Sequence, residues 1–153
     1  MKLISRSPQE TEAIAAALGP LALAGDWLAL DGELGAGKTL LTAAFCEAMG
    51  VTRGATDSPS FVLLNEYAGR LPIFHFDAYR LAGEEDELAE AGLFDERLGE
   101  GVVVVEWAER VARFLPRTSL RIDLLISGPE SRDIVVRDPG LRVSRALAPW
   151  CVE

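Results

Sequence analysis

Cysteine, histidine and basic residues are all scarce in this chain. The two cysteines, Cys46 and Cys151, have neither metal-ligand spacing nor that of a redox pair. Cys46 falls on the apolar side of a predicted helix and reads as a small core residue. Histidine occurs once, at His75. Lys and Arg number 15 against 24 Asp and Glu, a net charge of −9. That sign disfavours direct, high-affinity nucleic-acid binding, in which Lys and Arg replace the counterions of phosphate. It suits solubility, and equally docking onto a basic protein surface. No apolar run is long enough to span a bilayer, and Met1–Arg6 lacks the apolar core of a secretory signal. No membrane partner is expected, and the expected location is a reducing cytoplasm. Internal repeats and low-complexity tracts are missing too.

What remains is an ordinary globular composition, with 49% hydrophobic and 25% charged residues in 153. That length fits a single domain, residues 1–153, with a core of its own. Residues 138–153 are weakly patterned and read as an appended tail.

The densest signal is Gly32-Glu33-Leu34-Gly35-Ala36-Gly37-Lys38-Thr39. It has the form G-x-x-x-x-G-K-T and lies between an apolar run, Trp27–Leu30, and a segment with helical periodicity. In that context backbone N–H groups surround a polyphosphate, Lys38 reaches the terminal phosphates and the Thr39 hydroxyl holds Mg²⁺. The glycines let the chain turn tightly against the anion. The motif does not choose adenine over guanine.

The surrounding elements read as an α/β protein. Lys2–Ser5 predicts a short edge strand. Ser7, Pro8 and Glu10 predict a capped helix start with a capping box, and Gly19-Pro20 its end. Asp26–Asp31 is the strand before the loop, and Lys38–Met49 the helix after it, with Gly50 as C-cap. Residues 51–60 read as a loop. Phe61–Tyr67 and Leu71–Asp77 read as a hairpin, which makes the sheet mixed. Glu84–Glu90 is an acidic helix stopped by Gly92, and Phe94–Leu98 a further helical turn. Val102–Val105 suits a central strand buried on both faces. Trp107–Phe114 reads as a helix ended by Pro116, and Leu120–Leu124 and Asp133–Arg137 as strands. The expected fold is a P-loop NTPase-like three-layer arrangement, with a largely central-parallel sheet flanked by helices.

A P-loop needs an acidic group from a neighbouring strand to complete the Mg²⁺ shell. Glu106, after four valines, and Asp77, after Ile73–Phe76, both qualify, and the pattern prefers Glu106. His75 shares the Ile73 and Asp77 side of its strand and reads as a buried, hydrogen-bonded structural histidine. Trp107 suits stacking on a base or partner as well as packing. Arg80 suits a phosphate, a partner's carboxylate or a surface ion pair, and Arg53 is a weaker phosphate candidate.

The P-loop, Ser58-Pro59-Ser60-Phe61, His75-Phe76-Asp77-Ala78-Tyr79-Arg80-Leu81 and Val105-Glu106-Trp107 together resemble the bacterial TsaE (YjeE) ATPases over roughly residues 7–115. That family assists threonylcarbamoyladenosine modification of tRNA. The resemblance implies ATP and Mg²⁺ as cofactors, with Gly32, Glu33, Leu34, Gly35, Ala36, Gly37, Lys38, Thr39 and Leu40 forming the phosphate site. It implies Thr39 and Glu106 as Mg²⁺ ligands, Asp77 with Lys38 as catalytic, and Thr11 near the nucleotide. Ser58 to Phe61 would be a switch loop, with Tyr79, Arg80 and Trp107 switch- or partner-related. The implied partners are TsaD-like and TsaB-like proteins. Ser60 stands where the family usually has threonine, Glu33 where it has aspartate and Ala78 where leucine is common. With no evident arginine finger, hydrolysis by the chain alone should be slow. The rival readings are a nucleotide-dependent assembly factor in which hydrolysis is incidental, and a small-molecule P-loop kinase. The acidic 84–90 region is the wrong sign for a kinase's phosphate-clamping lid.

Overall fold

The computed structural model describes residues 1–56 and 63–152. An eight-stranded mixed sheet forms its middle layer. The strands are β1 (Lys2–Ser5), β2 (Trp27–Gly32), β3 (Leu64–Ala68), β4 (Pro72–Asp77), β5 (Val102–Glu106), β6 (Leu120–Ile126), β7 (Arg132–Arg137) and β8 (Cys151–Val152), in the order β3-β4-β5-β2-β6-β7-β1-β8. The four central strands β4, β5, β2 and β6 run parallel, and the pairs outside them are antiparallel. The fold is therefore the expected P-loop NTPase-like α/β arrangement.

Period-two alternation divides the core between the two faces. Val102, Val104, Leu28, Leu30, Ile122 and Leu124 pack under helices α1 (Pro8–Leu18) and α2 (Lys38–Ala48). Val103, Val105, Ala29, Phe74 and Phe76 meet the other face, covered by α3 (Glu85–Ala91) and the 3₁₀ segments Glu96–Glu100 and Ala108–Phe114. All five residues of β5 are buried, as four successive valines require of a strand flanked by parallel neighbours.

Local signals explain the ends. Ser7 Oγ accepts from Glu10 N at 3.1 Å, but the returning Glu10 carboxylate takes Arg6 N at 2.7 Å, one residue outside a standard capping box. Gly19 does not break the chain away from α1. It stays right-handed and opens a 3₁₀ turn, Gly19–Leu21.

Three expectations are corrected. β1 is an interior strand, because β8 pairs along its free side. Residues 138–152 are integral to the fold: α4 (Ser144–Leu147) packs on α1, with Val143 and Leu147 buried. The predicted helix after Trp107 is a 3₁₀ segment broken at Val111 (φ −125°, ψ 19°). Sequence periodicity missed the first two because β8 has two residues and α4 only four. Residues 61 and 62 of the expected hairpin lie outside the described residues.

Candidate active site

The parallel strands end together at the P-loop. At Gly32 (φ +152°) a Cβ would stand 2.6 Å from Leu124 O, so the sheet's edge leaves room only for glycine. Gly37 takes a left-handed conformation (φ 111°, ψ 18°) as the N-cap of α2, and no side chain caps the helix. The first-turn N–H groups have no partner within the helix, the arrangement that suits an anion.

Lys38 is 5% exposed. Its Nζ donates to Glu33 O at 3.0 Å and to Gly32 O, and sits 3.8 Å over the Trp107 ring. Burial lowers its pKa from the ordinary lysine value, opposed by the carboxylates of Glu106, Asp31, Asp77 and Glu109.

Glu106 and Asp77 do not compete for one position. They are register partners on the adjacent parallel strands β5 and β4. Glu106 Oε1 accepts from Thr39 Oγ1 at 2.9 Å. Its Oε2 is bonded by His75 Nε2, and His75 Nδ1 lies 3.0 Å from the Tyr67 hydroxyl. A carboxylate only accepts, so Nε2 donates. In the neutral ring Nδ1 then accepts from Tyr67, whose phenol burial pushes up to about 12 and so keeps protonated. Asp77 Oδ1 accepts from Tyr79 N at 3.1 Å.

Asp31, at the end of β2, accepts from Glu109 N at 2.8 Å and pins the chain just beyond Trp107. Burial raises its pKa. Trp107 itself is left-handed (φ 58°), lies 4.9 Å from Tyr79 ring to ring, and with Tyr79 faces the Arg110 guanidinium at 6.0 and 5.4 Å. Trp107 is thus both packed and presented.

These residues frame a groove of about 430 Å³. Leu34, Gly35, Gly37, Lys38, Thr39 and Leu40 line one wall, and Asp77, Tyr79, Arg80, Glu106 and Trp107 the other. Gly32 and Glu33 contribute carbonyls to Lys38, and Ala36 is buried behind the loop. Thr11 is not brought to the groove: it is buried, with its hydroxyl 2.7 Å from Ser5 Oγ between β1 and α1. Arg53 pairs with Glu47 at 3.7 Å instead of reaching the loop. Ser58 and Ser60, with the rest of the expected switch segment to Phe61, lie outside the described residues. A second cavity, of about 390 Å³ and mostly apolar, opens beside the starts of β2, β5 and β6 and contains none of these groups.

Sequence reasoning placed the acids but missed Tyr67 and Asp31, and gave His75 no partner. An even spacing from His75 to Asp77 was the one available hint, since it puts both on the α2 face with Glu106. Thr39, Glu106 and Asp77 offer only oxygen donors, the kind Mg²⁺ takes along with waters and phosphate oxygens.

The profile of the family described as threonylcarbamoyl adenosine biosynthesis protein TsaE matches residues 5–134. The tRNA threonylcarbamoyladenosine biosynthesis protein TsaE of Bacillus subtilis is 42% identical over 137 residues, 89% of this chain and 84% of that protein. Its counterpart in Treponema pallidum is 39% identical over 136 residues, 89% of this chain and 99% of that one. The crystal structure of Bacillus subtilis YdiB superposes with a TM-score of 0.75 at 35% identity, covering 97% of this chain and 92% of that one.

Proposed function

Since the chain belongs to the TsaE family, we propose that it is a Mg²⁺-dependent ATPase serving tRNA threonylcarbamoyladenosine biosynthesis, slow alone and coupled to TsaD-like and TsaB-like partners. The observation that carries the catalytic half is the bond from Thr39 to Glu106 at the mouth of the P-loop, with Asp77 alongside in register.

The free N–H groups of the first turn of α2 and the Lys38 ammonium would grip the β- and γ-phosphates. Thr39 and Glu106 would hold Mg²⁺, which neutralises charge on the phosphate oxygens. Tyr67 and His75 fix the Glu106 carboxylate, so its orientation is set before nucleotide arrives. Asp77 would orient a water oxygen toward the γ-phosphorus; the water–phosphorus bond forms as the bridge to the β-phosphate breaks, giving ADP and phosphate. Positioning and charge neutralisation supply this catalysis, with no covalent intermediate on the protein.

No base-reading side chain follows from the loop, so ATP as the nucleotide rests on the family. The test is phosphate release by the purified chain from ATP and from GTP, with and without a TsaB–TsaD pair. Slow ATP turnover that rises when the pair is added is expected. Fast turnover by the chain alone, or indifference to the pair, would refute the coupled reading.

A further inference from the structure

One arginine, remote in sequence, directs four of its five N–H donors to the phosphate loop and the turn beside it. Arg132 opens β7, where its backbone is locked in register with Ile126 of β6 and Ser5 of β1. Its Nε donates to Ala36 O at 2.9 Å and one terminal nitrogen, Nη2, to Gly35 O at 3.1 Å. The other, Nη1, donates to Ser131 O at 2.7 Å and Gly128 O at 3.1 Å, closing the β6–β7 turn. Among the described residues no carboxylate pairs with it.

A loop that turns its N–H groups toward an anion must turn carbonyls the other way. The outward carbonyls of Gly35 and Ala36 are successive, and a planar guanidinium meets two such acceptors at once, which a lysine ammonium cannot do with the same geometry. The anchor is a strand in the middle of an antiparallel set, so the grip is rigid. Arg132 is not among the residues that line the groove, and its charge adds to the field that an anion there meets.

We propose that Arg132 is a positioning residue of the phosphate site: it holds the Gly35 and Ala36 carbonyls outward so that the loop's N–H groups stay directed at a nucleotide's phosphates. This rests on the nucleotide reading above.

Three variants test it by calorimetric titration with Mg·ATP and by hydrogen exchange: Arg132→Gln, Arg132→Lys and the control Lys38→Ala. Loss of charge-assisted bonds predicts a Kd about ten-fold higher or more for Arg132→Gln, and a smaller rise for Arg132→Lys, which keeps the charge but not the fork. Exchange at residues 35–39 should quicken in both arginine variants while β2 and β5 stay protected, which a role confined to the β6–β7 turn would not produce. Should Arg132→Gln lose global protection, Arg132→Lys decides. If the folded arginine variants bind and exchange as the parent does while Lys38→Ala fails to bind, the Arg132 assignment is wrong and the nucleotide reading stands. If Lys38→Ala also binds normally, both fall.

Discussion

Glu106 and Thr39 meet across 67 positions of sequence, the hydroxyl donating to the carboxylate at 2.9 Å, and His75 holds the carboxylate's other oxygen. A single acid at the end of β5 is thus tied to the first turn of α2 on one side and to β4 on the other.

Lys38 makes the first test of the phosphate site. Replacing it by alanine removes a buried cation whose charged bonds are each worth about 1.5–3 kcal/mol. Binding of Mg·ATP should fall by about a hundred-fold or become undetectable in a calorimetric titration. Parent-like heats in this variant would rule out the P-loop as the binding site.

Asp77 separates holding from hydrolysing. Asp77→Ala should keep nucleotide affinity within about three-fold, since the loop and Lys38 are untouched, while phosphate release drops by about 10²-fold or more. If hydrolysis vanishes yet the chain still supports tRNA modification with its partners, ATP binding alone suffices and the assembly-factor reading prevails.

His75 should matter for stability as well as activity. His75→Phe leaves Glu106 and the Tyr67 hydroxyl each short of a buried partner, at about 1–3 kcal/mol apiece. At about 2–4 °C per kcal/mol for a chain of this size, the thermal midpoint should fall by several degrees. His75→Gln should fall less, and the Mg²⁺ concentration needed for half-maximal phosphate release should rise in both. An unchanged midpoint in the Phe variant would show that the buried bonds contribute little.

Asp31 gives a pH dependence with a definite sign. Burial raises its folded pKa above the ordinary 3.8, so the folded state keeps the proton to higher pH than the unfolded chain does. Its contribution to stability therefore declines as pH rises from about 4 through that raised value. Asp31→Asn retains an oxygen for Glu109 N and does not ionise. The variant's stability relative to the parent should be greater at pH 7 than at pH 4, as measured by urea midpoints. A gap that is constant or shrinks with pH contradicts this.

Leu147 tests the C-terminal segment. It is fully buried under α1, and truncating such a leucine to alanine costs about 2–5 kcal/mol. Removing residues 144–153 should do more, because it also strips β8 from β1 and bares a strand edge open to intermolecular pairing. Aggregation on sizing chromatography is the expected sign. A monomeric, stable truncation would mean the segment is dispensable.

The parts of the fold legible in sequence were those whose cause is local. Four valines suit a strand covered on both faces, Ser7-Pro8 opens a helix, and G-x-x-x-x-G-K-T carries its own backbone geometry. Lys38, Thr39 and the two strand-end acids followed from the same logic. The short elements were not legible, because a two-residue strand and a four-residue helix have no periodicity to detect. Their stability comes from β1 and α1, which are elsewhere in the chain.

Sequence by itself determined that a turn of the G-x-x-x-x-G-K-T form joins a buried strand to a helix, and that carboxylates end two nearby strands. Only the tertiary structure decided that those carboxylates stand in register, that Tyr67 and His75 orient one of them, and that Arg132 bonds the Gly35 and Ala36 carbonyls. These are contacts between residues tens of positions apart, set by strand order and register, and strand order is fixed by how the whole sheet buries its two faces.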